Sequence, residues 1–157
     1  MRARKVALAL GIGAGLSAIG GQAFADAAYC PDLQRVTALA ATADKFASIA
    51  GQPREGNFRD TTLSLTDWRD CSLYGLRSYT CDSRAFATAD AAEKALAGLV
   101  DEMRNCLGDG WIEDKSRSSS VYVVLQNAQI AASMTLSTDA TDRKEHVVRL
   151  ILFLRGR

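Results

Sequence analysis

The sequence predicts an α+β fold: an antiparallel sheet with two helices packed on one face, in the order α-βββ-α-ββββ, stapled by disulfides. Three observations carry this expectation. Two stretches repeat their apolar residues with a helical period, several short segments alternate with period two, and four cysteines follow an export-type N-terminus.

The N-terminus sets the compartment in which the cysteines are read. Arg2, Arg4 and Lys5 open the chain, and an uncharged, glycine-rich apolar stretch of 16 residues runs from Val6 to Gly21. Ala23-Phe24-Ala25 then offers small residues at a cut site, so residues 1–25 are expected to be a signal peptide. The apolar stretch is shorter than the roughly 20 residues a bilayer crossing needs, so no transmembrane anchor is expected after processing. Gly11, Gly13 and Gly15 imitate a nucleotide loop, but that motif works only between a strand and a helix. Residues 26–157 are expected to form one domain, a normal size for a single core. The leader holds three of the 19 basic residues and none of the 18 acidic ones, leaving 16 against 18 and a net charge near −2. No basic run is present, so nucleic acid is not an expected partner.

The elements follow in order. From Asp32, the apolar positions Leu33, Val36, Leu39, Ala40, Ala43, Phe46, Ile49 and Ala50 form one helical stripe, with Pro31 at its start and Gly51 at its end. "TTLSLT" (61–66) alternates as a strand, pointing Leu63 and Leu65 one way. "CSLYG" and "RSYTC" flank a tight connection at Gly75-Leu76-Arg77, as in a hairpin. A second helix is expected from Ala89 to Leu107, capped by Thr88 and closed by Gly108, with Cys106 on its apolar face. Four strands should follow. "WIEDK" starts at Trp111, "SVYVVLQN" and "QIAASMTLST" meet near Asn127-Ala128, and "EHVVRLILFL" is apolar on both faces, as a central or covered strand would be. This order of elements is loosely similar to that of the small chaperones of bacterial type III secretion. The likeness implies a fold alone, and those chaperones are cytoplasmic.

In an oxidising compartment Cys30, Cys71, Cys81 and Cys106 are expected to pair as structural disulfides. No CxxC spacing offers a metal grip or a redox dithiol. Cys71 and Cys81 sit opposite one another in the hairpin, so a bond between them is open, leaving Cys30 to Cys106. The expected pairing is instead Cys81–Cys106 with Cys30–Cys71, because it ties both helices to the sheet.

Catalytic chemistry has few candidates. His146 is the only histidine, and the Ser118-Ser119-Ser120 run reads as a loop, so no triad is expected. Asp101-Glu102 and Glu113-Asp114 are adjacent in sequence and point to different faces, and Asp109, Glu113 and Asp114 lack the ligand spacing of a calcium hand. No catalytic, metal or cofactor residues are assigned. Trp68 and Trp111 lie near the cysteines; core packing is the expected role, and a contact surface is the alternative. The expected role is a small exported, non-enzymatic binding or accessory domain of the bacterial periplasm or exterior, presenting a sheet face or edge to a protein or small-molecule partner. A small hydrolase with an unrecognised site, or a secreted enzyme inhibitor, is the alternative.

Overall fold

The computed structural model describes residues 27–155; the expected signal peptide, residues 1–25, lies outside them. The first helix, α1 (Cys30–Ala40), carries Pro31 and Asp32 in its first turn and buries Leu33, Val36 and Ala40. It stops ten residues before the apolar stripe does. The Thr42 hydroxyl donates to the Leu39 carbonyl, and Lys45 takes a left-handed φ of 52° that turns the chain. Phe46 and Ile49 nevertheless reach the core, Ile49 through a single 3-10 turn. The periodicity therefore located most of the buried positions, though Ala43 is exposed, and it overstated the helix length.

A four-strand meander follows: β1 (Ala50–Pro53), β2 (Phe58–Thr61), β3 (Arg69–Tyr74) and β4 (Ser78–Asp82). The strand expected over 61–66 is instead a loop after β2 that buries only Leu63 and Leu65. Leu63 and Leu65 alternate inward there, but the backbone is held by tertiary bonds rather than by a ladder. The Tyr79 hydroxyl donates to the Leu63 carbonyl (3.0 Å), and Asp32 accepts both the backbone amide and the hydroxyl of Thr66 (3.0 and 2.7 Å). The β3–β4 turn is the expected one, with Gly75 and Leu76 both at φ 54°.

The second half repeats the first in topology. Helix α2 (Ala89–Leu107) is capped by Thr88, whose hydroxyl accepts the Ala91 amide, and ends at Gly108 with φ 73°. A second meander follows: β5 (Ile112–Glu113), β6 (Tyr122–Asn127), β7 (Ala132–Ala140) and β8 (His146–Leu154). The last strands of the two meanders pair antiparallel, giving one eight-stranded sheet in the order β1-β2-β3-β4-β8-β7-β6-β5. The element order is thus α-ββββ-α-ββββ, one strand more than expected, and the sheet dominates the α+β architecture. Helix α2 packs on β7 and β8, and α1 on α2. Leu33, Val36, Leu96 and Met103 meet Leu73, Tyr79, Leu150, Leu152, Met134 and Leu136 in one core on a single face of the sheet.

All four cysteines are paired, but not as expected. The bonds are Cys30–Cys106 and Cys71–Cys81. On β3, Asp70 and Cys71 together oppose Cys81, a bulge in which Asp70 adopts φ 50°. This brings the Cys71 and Cys81 Cα atoms to 4.1 Å, close to the spacing of facing strand partners. The first residue of α1 lies 5.3 Å from Cys106 in the last turn of α2, an ordinary disulfide separation. Each cysteine thus bonds within its own layer, where its neighbour is nearest, and neither bond ties helix to sheet.

Candidate functional site

The helix-free face of the sheet is organised in cross-strand rows. One row runs Phe58, Tyr74, Ser78, Phe153, Ser133, Gln126, Ile112 across seven strands, following the ladder partners. The next carries Asp60, Ser72, Thr80, Ile151, Thr135 and Val124, and the third Asp82, Arg149, Ser137 and Tyr122. Six large apolar side chains are exposed among the described residues, and five of them (Phe58, Tyr74, Phe153, Ile112 and Tyr122) lie on this one face. Scattered exposed apolar residues are ordinary, whereas a clustered set marks a contact surface.

Residue size shapes the face. Ser72, Ser78 and Thr80 are short, so they form a floor below the rings of Phe58, Tyr74 and Phe153. The result is a groove of about 690 Å³, with Ile151 as its apolar centre. The Phe58 and Tyr74 rings lie 5.0 Å apart at one wall. At the far end Arg149 grips Asp82 with two parallel bonds of 2.7 and 2.9 Å and also bonds Asp139, which crosslinks β4, β8 and β7. The Asp82 bonds hold the Arg149 guanidinium above its ordinary pKa. Asp70, displaced outward at the bulge, pairs with Arg143 at 3.3 Å.

The residues singled out from sequence are not brought together. Trp111 is buried in the core, whereas Trp68 is half-buried and lines a second groove of about 720 Å³ on the helical side. There it packs edge-on against Tyr29 (5.7 Å), whose hydroxyl donates to Glu102 at 3.0 Å. His146 starts β8, half-buried, with its carbonyl accepting the Phe86 amide. Ser118–Ser120 precede β6, and β7 stands between that strand and β8. Ser118 organises its own loop, donating to the Asp114 carbonyl and accepting the Val124 amide. Asp114 accepts the Ser116 amide and hydroxyl, and that hydroxyl bond lowers its pKa. Among the described residues no group of three His, Cys, Asp or Glu side chains stands close enough to hold a metal, and no helix is long and apolar enough to cross a membrane.

The groove residues themselves were missed. The signal was present in the hairpin: Ser72, Tyr74, Ser78 and Thr80 occupy the phase opposite to Cys71, Leu73, Tyr79 and Cys81. A strand apolar on both faces, β8, pointed to something covering its second side. Comparison with protein-family models, curated proteins and solved structures gives no match to this chain.

Proposed function

We propose that this protein is an exported, non-enzymatic binding domain of the cell envelope, and that the helix-free sheet face is its binding surface. One observation carries the reading: five of the six large apolar side chains exposed among the described residues fall on that face, and three of them, Phe58, Tyr74 and Phe153, line a groove floored by serine and threonine. Two disulfides accord with export. The face is favoured over the edges, because β5 has two residues and β1 has four and ends in Pro53. Such short, proline-blunted edges are poor templates for strand addition. The test is site-specific photo-crosslinking in intact cells. A crosslinker at Phe153 or Tyr74 should trap a partner, while one at the exposed helix position Lys94 should not; crosslinks from Lys94 alone would refute the assignment.

A further inference from the structure

Resting on that reading, we infer that the occupant of the groove is an extended polypeptide segment carrying an apolar side chain and, four residues away, a basic one. The first argument is that two mostly buried hydroxyls open to the groove have no partner within the described residues. Ser72 and Ser78 line the groove, are more than nine-tenths buried, and donate to no other described residue. Arg59 Nε is the only fully enclosed, partnerless side-chain nitrogen or oxygen among the described residues, so both hydroxyls are reached from the groove. Hydroxyls offered at the bottom of an apolar-rimmed groove suit a ligand with its own donors and acceptors, as a peptide backbone has.

The second argument is charge. The charged groove residues and their ion-pair partners comprise five carboxylates (Asp60, Asp70, Asp82, Asp139 and Asp142) and three guanidinia (Arg54, Arg143 and Arg149). The surplus is two negative charges, which selects a cationic ligand and disfavours an anionic one. Neutral glycans gain nothing from it.

The third argument is spacing. The aromatic row and the Asp82 row are separated by four residues along β4, roughly 14 Å at strand rise. A peptide extended along the strands projects side chains toward the sheet at every second residue. Position i then meets Tyr74 and Phe153, position i+2 the Thr80–Ile151 row, and position i+4 the acidic end.

The experiment uses the exported, disulfide-bonded protein and fluorescein-labelled nonapeptides of glycine and serine. The probe peptide carries phenylalanine at its third position and lysine at its seventh. One comparator replaces that lysine with glutamate, and the other moves the lysine to the sixth position. Fluorescence anisotropy should show the probe peptide binding about tenfold more tightly than the glutamate comparator. It should also bind more tightly than the shifted-lysine comparator, and Asp142→Lys should erase the charge preference. Equal affinity whatever stands at the seventh position, or preference for glutamate, overturns the inference. So does binding of a neutral oligosaccharide in place of every peptide, or a concentration-dependent dimer lost on Phe153→Ser. If Phe153→Ser weakens all peptides alike without charge preference, the face still binds and only the basic-peptide inference falls. If Phe153→Ser and Tyr74→Ser leave peptide binding intact, the assignment of the face falls with it.

Discussion

Removing the Cys30–Cys106 bond should cost more stability than removing Cys71–Cys81, and the difference follows from loop length. The first closes a separation of 76 residues and the second one of 10. Chain-entropy reasoning gives about 4.5 kcal/mol for the longer loop and about 2.7 kcal/mol for the shorter. The paired variants are Cys30→Ala with Cys106→Ala, and Cys71→Ala with Cys81→Ala. Each removes two sulfurs from buried positions, so packing losses largely cancel and the comparison isolates the loop term. Against a total stability of roughly 5–15 kcal/mol, the first pair should bring the domain near its threshold. At about 4 °C per kcal/mol for a domain of this size, melting should fall by about 18 °C for the first pair and about 11 °C for the second. Calorimetry under oxidising conditions reads both values. A larger loss for the hairpin pair would refute the entropic argument, and a peptide map linking Cys30 to Cys71 would refute the connectivity beneath it.

Other perturbations test other parts of the structure. Arg149→Met strands Asp82, whose side chain is only 8% exposed, and should cost about 2–3 kcal/mol by urea titration, with Asp82→Asn recovering part of it. Gly51→Ala would place a Cβ 2.9 Å from the Asp60 Cβ and should cost about 1–2 kcal/mol, read the same way. Burial pushes the Tyr79 and Tyr29 phenols above the usual 10.0, so the unfolded chain releases these protons first and stability falls as pH rises past about 10. Each tyrosine contributes up to about 1.4 kcal/mol per pH unit. Tyr79→Phe should roughly halve the slope between pH 10 and 11, and an unchanged slope would contradict the burial argument.

The helical and strand patterns were legible where local signals agreed with tertiary demand. Thr88 and Gly108 bound α2 because cap chemistry is local, and the Gly75-Leu76-Arg77 turn fixed the Leu73–Tyr79 register for the same reason. Two misreadings share a cause. Phe46 and Leu65 are buried by contacts distant in sequence, so their spacing imitated a longer helix and an extra strand. Strands β1 and β2 escaped notice because their residues are mostly half-exposed and "AGQP" and "FRDT" lack alternation. The candidate face was hidden because its floor is serine and threonine, residues that read as solvent-facing in any strand. Only pairing of the strands shows that Phe58, Tyr74 and Phe153 flank one groove.

The two α-ββββ halves meet at β4 and β8, and this junction carries both stabilising bonds and the proposed site. Cys30–Cys106 joins the halves through their helices, on the core side. Arg149 joins them through the sheet, bonding Asp82 in one half and Asp139 in its own. The aromatic row is unequal across the junction. Phe58 and Tyr74 stand on β2 and β3, whereas the corresponding strands of the other half, β6 and β7, carry Gln126 and Ser133. The groove is therefore built from the first meander plus β8, with the Asp82–Arg149 clamp at its acidic end. Stability and binding should separate according to which junction bond is cut. Removing the helix disulfide should lower the melting temperature and leave nonapeptide affinity unchanged below the transition, because no groove residue touches that bond. Arg149→Met should lower the melting temperature and also tighten binding of the lysine-bearing probe peptide, since it removes a cation from the groove lining and frees the Asp82 carboxylate there. Weaker binding in that variant would mean that Arg149 itself contacts the ligand, and the charge assignment at that end would have to be reversed.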